Sequence, residues 1–346
     1  MPNADLTKLK VGIVGAGLMG CWHARYARRL GVQLVSVLDR DITLATKLAK
    51  ESGGTRIYTE LETMLSSEQL DVIHICTPLD SHFQLVSQAI SADVHVFVEK
   101  PLAMTAAKTQ ALLELAQERG VTLCPVHQFG FQQGVFDSLA KMNSLGELLH
   151  LRFTVASAGA EGRTEKEQDE VIADVIPHPL SILQRLRSGI ELNSTEWTGV
   201  HPRAGELNLT GNTAGITVDI SVSMNARPTR CQMELFFSKG KIFLNLFHGY
   251  AVIETGEVSR LQKMIQPISG SLKEFFIASL NLIKRSISSE PAYPGLTQLL
   301  ENFYTSIVTK TDPPISPAEM LAVAVARDDI SKRFLNIVSE DVEEMS

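Results

Sequence analysis

Apolar residues follow two different rhythms along this chain. Up to residue 127, short apolar runs rich in β-branched side chains alternate with stretches of helical period. The runs at 10–15, 33–39, 71–76, 94–98 and 121–126 read as strands. Helices are expected over Met19–Arg29, Leu44–Glu51, Phe83–Ile90 and Thr105–Arg119. Strand–helix alternation of this kind predicts an α/β domain with a doubly wound parallel sheet. The run Asp71-Val-Ile-His-Ile-Cys76 is nearly continuous in apolar character, as a strand covered on both faces should be.

Past Glu147 the rhythm changes. Leu148–Ala156, Gly215–Met224, Gln232–Phe237, Lys241–Leu246 and Ala251–Glu254 look like strands without a helix between each pair. Ile216–Met224 alternates apolar and polar positions, giving one buried and one wet face. One helix, Asp174–Arg187, interrupts the series. A C-terminal α+β domain with a mostly antiparallel sheet is therefore expected, with domains at 1–127 and 128–346. The second would serve substrate binding and oligomerisation.

The tail turns helical again. Leu272, Phe275, Phe276, Leu280 and Ile283 form an amphipathic stripe. Its expected place is against the core or a second subunit, with a membrane-surface helix as the alternative, given Lys284 and Arg285. Thr297–Thr309 and Ser316–Leu335 read as two more helices, packing back on the first domain. Ser316 would cap the second of these, with Pro317 at its first position.

Composition narrows the classes. A chain of 346 residues suits two domains, and 44% hydrophobic with 21% charged residues is ordinary for a globular protein. A net charge of −7 gives no electrostatic reason to expect nucleic acid as a partner. The start lacks a secretory pattern, and no apolar run approaches the ~20 residues of a membrane helix, so a cytoplasmic protein is expected. Cys21, Cys76, Cys124 and Cys231 show no metal-ligand spacing and read as free thiols.

The chemistry concentrates at strand ends. Gly15-x-Gly17-x-x-Gly20 follows the first strand and opens a helix. Gly15 permits the tight turn, Gly17 admits a pyrophosphate to the backbone, and Gly20 lets helix and strand pack closely. The helix start at Leu18 and Met19 would aim unpaired N–H groups at the phosphates. Asp39 ends the second strand nineteen residues past Gly20, close to the roughly 20 expected of a carboxylate gripping the adenosine ribose. Its charge favours NAD over NADP, a preference that Arg40 softens.

Thr77-Pro78 ends another strand, with His82 on the following helix. This is a cofactor edge or, alternatively, a plain turn beside a surface histidine. Glu99-Lys100-Pro101 caps the next strand. A lysine there can share a substrate hydroxyl's proton as hydride moves, although a surface ion pair would leave the same trace. The proline is a candidate for a cis peptide bond. Asp174 and His178 fall on one helical face if a helix begins at Asp174, and the imidazole is a plausible proton carrier. Asp174 alone reads as a helix N-terminal acid.

In this order the motifs resemble the Gfo/Idh/MocA family of nicotinamide-dependent oxidoreductases, over nearly the whole chain. The resemblance implies a Rossmann domain followed by an α+β domain, NAD or NADP as cofactor, and a sugar, inositol or nucleotide-sugar substrate. It implies Lys100 as catalytic lysine, His178 as proton-exchanging histidine and Asp174 as its substrate-binding companion. Gln128 stands where the family commonly holds the nicotinamide amide with asparagine, and Gly130 where it has arginine. Those departures, and the missing glycines around Asp174-x-x-x-His178, fall on the substrate pocket. The expected activity is hydride transfer between nicotinamide and a hydroxyl or carbonyl carbon of a sugar-like substrate, in a homodimer or homotetramer. An NAD-recycling lyase or glycosidase, an imine reductase and a non-catalytic nicotinamide-binding regulator are the alternatives. No metal is expected.

Overall fold

The computed structural model describes residues 5–187, 190–192, 195–256, 260–288 and 290–335. The chain divides into two compact units. One takes the described residues up to Val126 together with Thr297–Val325, and the other takes His127–Leu296 and the described residues from Ala326.

The first unit holds strands β1 (Lys10–Val14), β2 (Gln33–Leu38), β3 (Arg56–Tyr58), β4 (Val72–Ile75), β5 (His95–Val98) and β6 (Leu123–Pro125). Between them lie helices α1 (Leu18–Arg29), α2 (Ile42–Glu51), α3 (Leu61–Ser67), α4 (His82–Ser91) and α5 (Ala106–Arg119). The strand order is β3-β2-β1-β4-β5-β6 and every pairing is parallel. This is the Rossmann arrangement. Ile13, Val37, Ala24, Ala45 and Leu48 pack in one buried cluster, which joins β1 and β2 to the inner faces of α1 and α2. β3 and α3 escape the sequence pattern because they are short, and β3 leaves Arg56 and Ile57 exposed.

The second unit carries a seven-stranded sheet. Its strands are β7 (Leu148–Ala156), β8 (Glu196–Val200), β9 (Glu206–Thr213), β10 (Ile216–Ser223), β11 (Arg230–Phe237), β12 (Gly240–Asn245) and β13 (Tyr250–Thr255). The order is β13-β12-β11-β7-β10-β9-β8, antiparallel except where β7 meets β10. β10 alternates buried and half-exposed positions along its length, as its sequence predicts. Helix α6 (Gln133–Met142) precedes the sheet.

Two expectations need correction. The helix expected over Asp174–Arg187 is α8 (Pro177–Leu186), and its first expected residues belong to the end of a separate helix, α7 (Glu165–Val175). Pro177 has no N–H to donate to the Ala173 carbonyl, so the ladder breaks there. That carbonyl accepts instead from Arg327 Nε at 3.2 Å. Asp174 thus lies in the last turn of α7 and is no helix N-terminal acid. The apolar stripe belongs to a longer helix, α9 (Arg260–Ile287), and faces away from the core. Phe275, Phe276 and Leu280 are 64%, 60% and 65% exposed.

The chain closes with α10 (Leu296–Thr309) and α11 (Pro317–Phe334). Ser316 and Glu319 bond each other's backbone N–H groups at the start of α11, a reciprocal cap.

Candidate cofactor and proton-transfer site

The glycine turn lies at the reversal of strand order. β1 pairs with β2 on one side and β4 on the other, so loops leaving β1 and β4 diverge at the carboxyl edge of the sheet. In open α/β sheets that crevice is where ligands bind. Gly15 adopts φ +92°, and a Cβ there would stand 2.7 Å from the Cys76 carbonyl oxygen. A Cβ at Gly20 would collide with the Gly15 carbonyl. Gly17 caps α1 with no side-chain acceptor, and nothing lies within 4 Å of where its Cβ would be. Gly17 and Leu18 are exposed and Met19 is half-exposed, so the first N–H groups of α1 open onto free space. The backbone therefore fits a pyrophosphate.

Asp39 is part of this turn. One carboxylate oxygen accepts the Ala16 N–H at 2.7 Å and the other accepts the Asp41 N–H at 2.9 Å. Remaining lone pairs can still take ribose hydroxyls. Arg40 is exposed beside it.

At the neighbouring strand ends, Thr77 Oγ1 accepts from Ser81 Oγ at 2.8 Å, and Pro78 is exposed. His82 is not the surface histidine of the alternative reading: it is 1% exposed. Its Nε2 lies 2.9 Å from the Thr77 carbonyl and its Nδ1 2.9 Å from the Pro101 carbonyl. The ring therefore ties two loops together. The Lys100–Pro101 peptide bond is cis, and Lys100 is half-buried.

Glu99 has a partner 76 residues away in sequence. Its Oε1 lies 2.9 Å from His23 Nε2, on the inner face of α1. His23 Nδ1 lies 3.1 Å from His74 Nδ1 in β4, and His74 Nε2 lies 2.9 Å from the Tyr304 hydroxyl in α10. Burial, then the adjacent His23, holds the His74 ring well below the usual histidine range. Burial, then Cys76, pushes the Tyr304 phenol well above its ordinary value. Burial, then Glu99 and Cys21, does the same to the Cys76 thiol. The available signal was His74 itself, since a polar ring inside a fully buried strand must find partners.

In the second unit, His178 opens α8 and its ring stacks on Phe129, centroids 4.3 Å apart and planes 22° off parallel. Gln128 is buried, and its Oε1 has no donor among the described residues. Asp174 has an unexpected neighbour. Its charge helps hold the buried Arg327 guanidinium protonated against the pull of burial. Arg185 comes to the place left by Gly130, where an added Cβ would lie 3.5 Å from its Cγ. Its guanidinium carbon stands 4.7 Å above the Phe131 ring, and its buried Nε has no acceptor among the described residues. Among those residues, no group of three or more His, Cys, Asp or Glu could hold a metal ion. No helix among them is long and apolar enough to cross a membrane.

Comparison with known proteins finds dehydrogenases of similar sequence and similar fold. Over 234 residues the chain is 26% identical to an inositol 2-dehydrogenase of Pseudomonas savastanoi pv. phaseolicola, covering 63% of this chain and 68% of that one. It is 30% identical over 186 residues to an inositol 2-dehydrogenase of Pseudomonas syringae pv. syringae, covering 51% of this chain and about half, 54%, of the relative. The fold matches the WlbA dehydrogenase of Bordetella pertussis, solved with NADH and UDP-GlcNAcA, with a TM-score of 0.72 at 17% identity. That match covers 95% of this chain and 97% of the other. Residues 9–127 match the model of the Gfo/Idh/MocA oxidoreductase family, described as its NAD-binding Rossmann fold.

Proposed function

We propose that this protein transfers hydride between NAD and a hydroxyl or carbonyl carbon of a sugar-like substrate. Bound NAD supplies the hydride acceptor, which takes hydrogen from the carbon bearing the hydroxyl. The chain's own residues bind, orient and manage the proton. Gly17, Leu18 and Met19 offer backbone N–H groups to the pyrophosphate, and Asp39 takes the ribose hydroxyls. A carboxylate there repels a 2′-phosphate, which favours NAD over NADP. Thr77 and Pro78 line the cofactor edge, with His82 fixing that loop. The orphaned Gln128 Oε1 is suited to the N–H of a carboxamide. Lys100 takes up the hydroxyl proton, and His178 exchanges it onward. The observation that carries the reading is the open backbone cradle at Gly17, set at the reversal of strand order.

Similarity to inositol and UDP-sugar dehydrogenases supports a polyhydroxylated substrate. The Arg185 guanidinium makes acidic sugars and nucleotide sugars the first classes to screen. Four free cysteines suit a reducing cytoplasm, and the exposed apolar face of α9 suits assembly into a homodimer or homotetramer. The test is NADH formation from NAD across a panel of cyclitols, sugars and sugar acids. Lys100→Met is expected to lower turnover by about 10²- to 10⁴-fold while leaving NADH affinity within about twofold. Full turnover by that variant would overturn the assignment of Lys100.

A further inference from the structure

Glu99, His23, His74 and Tyr304 form an unbroken hydrogen-bonded chain from the carboxyl edge of the sheet into α10. His23, His74 and Tyr304 are fully buried, and only the Glu99 side chain, 14% exposed, meets solvent. Phe97 packs against both imidazoles, 5.5 and 5.2 Å between centroids, and no water path to Tyr304 is needed to satisfy any atom of the chain.

The proton order follows from donor and acceptor counts. A neutral imidazole has one donor and one acceptor nitrogen, and an ionised carboxylate only accepts. With Glu99 ionised, His23 donates from Nε2, so its Nδ1 must accept. His74 then donates from Nδ1 and accepts at Nε2, and the Tyr304 hydroxyl donates to it. Every contact is satisfied and every hydrogen points towards Glu99. If Glu99 is protonated and donates to His23, both histidines must take the opposite tautomer. His74 then donates to the Tyr304 oxygen, and the phenolic hydrogen must find another acceptor in a buried site. Burying an unmet donor is costly. The order that satisfies every contact therefore points each hydrogen towards Glu99, and the Tyr304 hydroxyl fixes it from three contacts away.

We propose that Tyr304, His74 and His23 are positioning residues that fix one hydrogen order along this chain, so that the His23 N–H holds the Glu99 carboxylate in place at the strand end that carries Lys100. The proposal rests on the reading of Lys100 as the acid–base group only for its effect on turnover. Cys21 on α1 and Cys76 at the end of β4 lie near this chain, and burial holds both thiols above their ordinary range, so neither adds a charge.

The experiment uses the intact protein. ¹⁵N-histidine spectra at neutral pH are expected to show hydrogen on Nε2 of His23 and on Nδ1 of His74. In Tyr304→Phe that order is expected to loosen, with hydrogen appearing on Nε2 of His74, and kcat is expected to fall by about tenfold with KM within about twofold. His23→Gln keeps an N–H donor and should restore most of the rate lost in His23→Phe, while NADH binding shows that each variant is folded. The opposite tautomers in the intact protein, or an order unmoved by Tyr304→Phe, would overturn the proposal. A loosened order with unchanged kcat would leave the chain standing and remove Lys100 from the reaction.

Discussion

The glycine turn after β1 and the α7–α8 junction are both short segments near a helix start, yet they hold their residues in place by different means. At the glycine turn the constraint is backbone against backbone, with Gly15 on the Cys76 carbonyl and Gly20 on the Gly15 carbonyl. At the junction the constraint is a missing hydrogen bond: Pro177 leaves the Ala173 carbonyl to Arg327, from a helix about 150 residues away in sequence. The first can be recognised from spacing alone. The second depends on a tertiary partner, and the sequence pattern places the helix start too early, at Asp174 in the last turn of α7.

Gly20→Val puts the largest strain on that contrast. The collision with Gly15 has no flexible side chain to absorb it, so a loss of several kcal/mol of stability is expected, together with NADH binding. Circular-dichroism melts and NADH fluorescence would show both, and a stable variant that binds NADH normally would break the backbone account of the turn.

Asp174 sharpens the other side. Because its charge supports the buried Arg327, Asp174→Asn should cost about 1–3 kcal/mol in denaturant unfolding. His178→Asn should leave stability nearly intact while lowering turnover on the order of 10²-fold. Unchanged stability in Asp174→Asn would mean that its charge does not support Arg327.

A smaller effect is set by His74. Its folded-state pKa lies below the unfolded one, so the unfolded chain binds the extra proton. Stability should therefore fall as pH drops below about 6.5, by up to ~1.4 kcal/mol per pH unit from this ring. His95 is depressed by burial in the same direction. Melting temperatures across that range would show the slope, and its absence in the wild type would mean that His74 accepts a proton while folded.

The same contrast explains what was legible in the chain. Parallel strands β1, β2, β4, β5 and β6 announce themselves as continuous apolar runs. β9 does not, because its buried positions are Leu207, Leu209, Gly211 and Thr213, only two of them strongly apolar. Gly211 is there because the Trp197 ring occupies the space a side chain would need. α7 is rich in Glu, Asp, Lys and Gln, so few apolar positions mark it as a helix, and its Thr164–Glu167 cap is the one local sign of its start. The candidate site divides in the same way. Gly15, Gly17, Gly20 and Asp39 follow from local spacing. His23, His74, Tyr304 and Arg185 are far apart in sequence and acquire meaning only when the fold brings their partners to them.

The central claim is that the open turn at Gly17 receives a nicotinamide dinucleotide. Fluorescence titration of the purified wild-type protein with NADH tests it most directly. Saturable binding at one site per chain is predicted, with an affinity between about 1 μM and 1 mM, and loss of that binding in Gly17→Trp, whose indole would fill the cradle. Absence of binding at millimolar NADH, or binding untouched by Gly17→Trp, would contradict it.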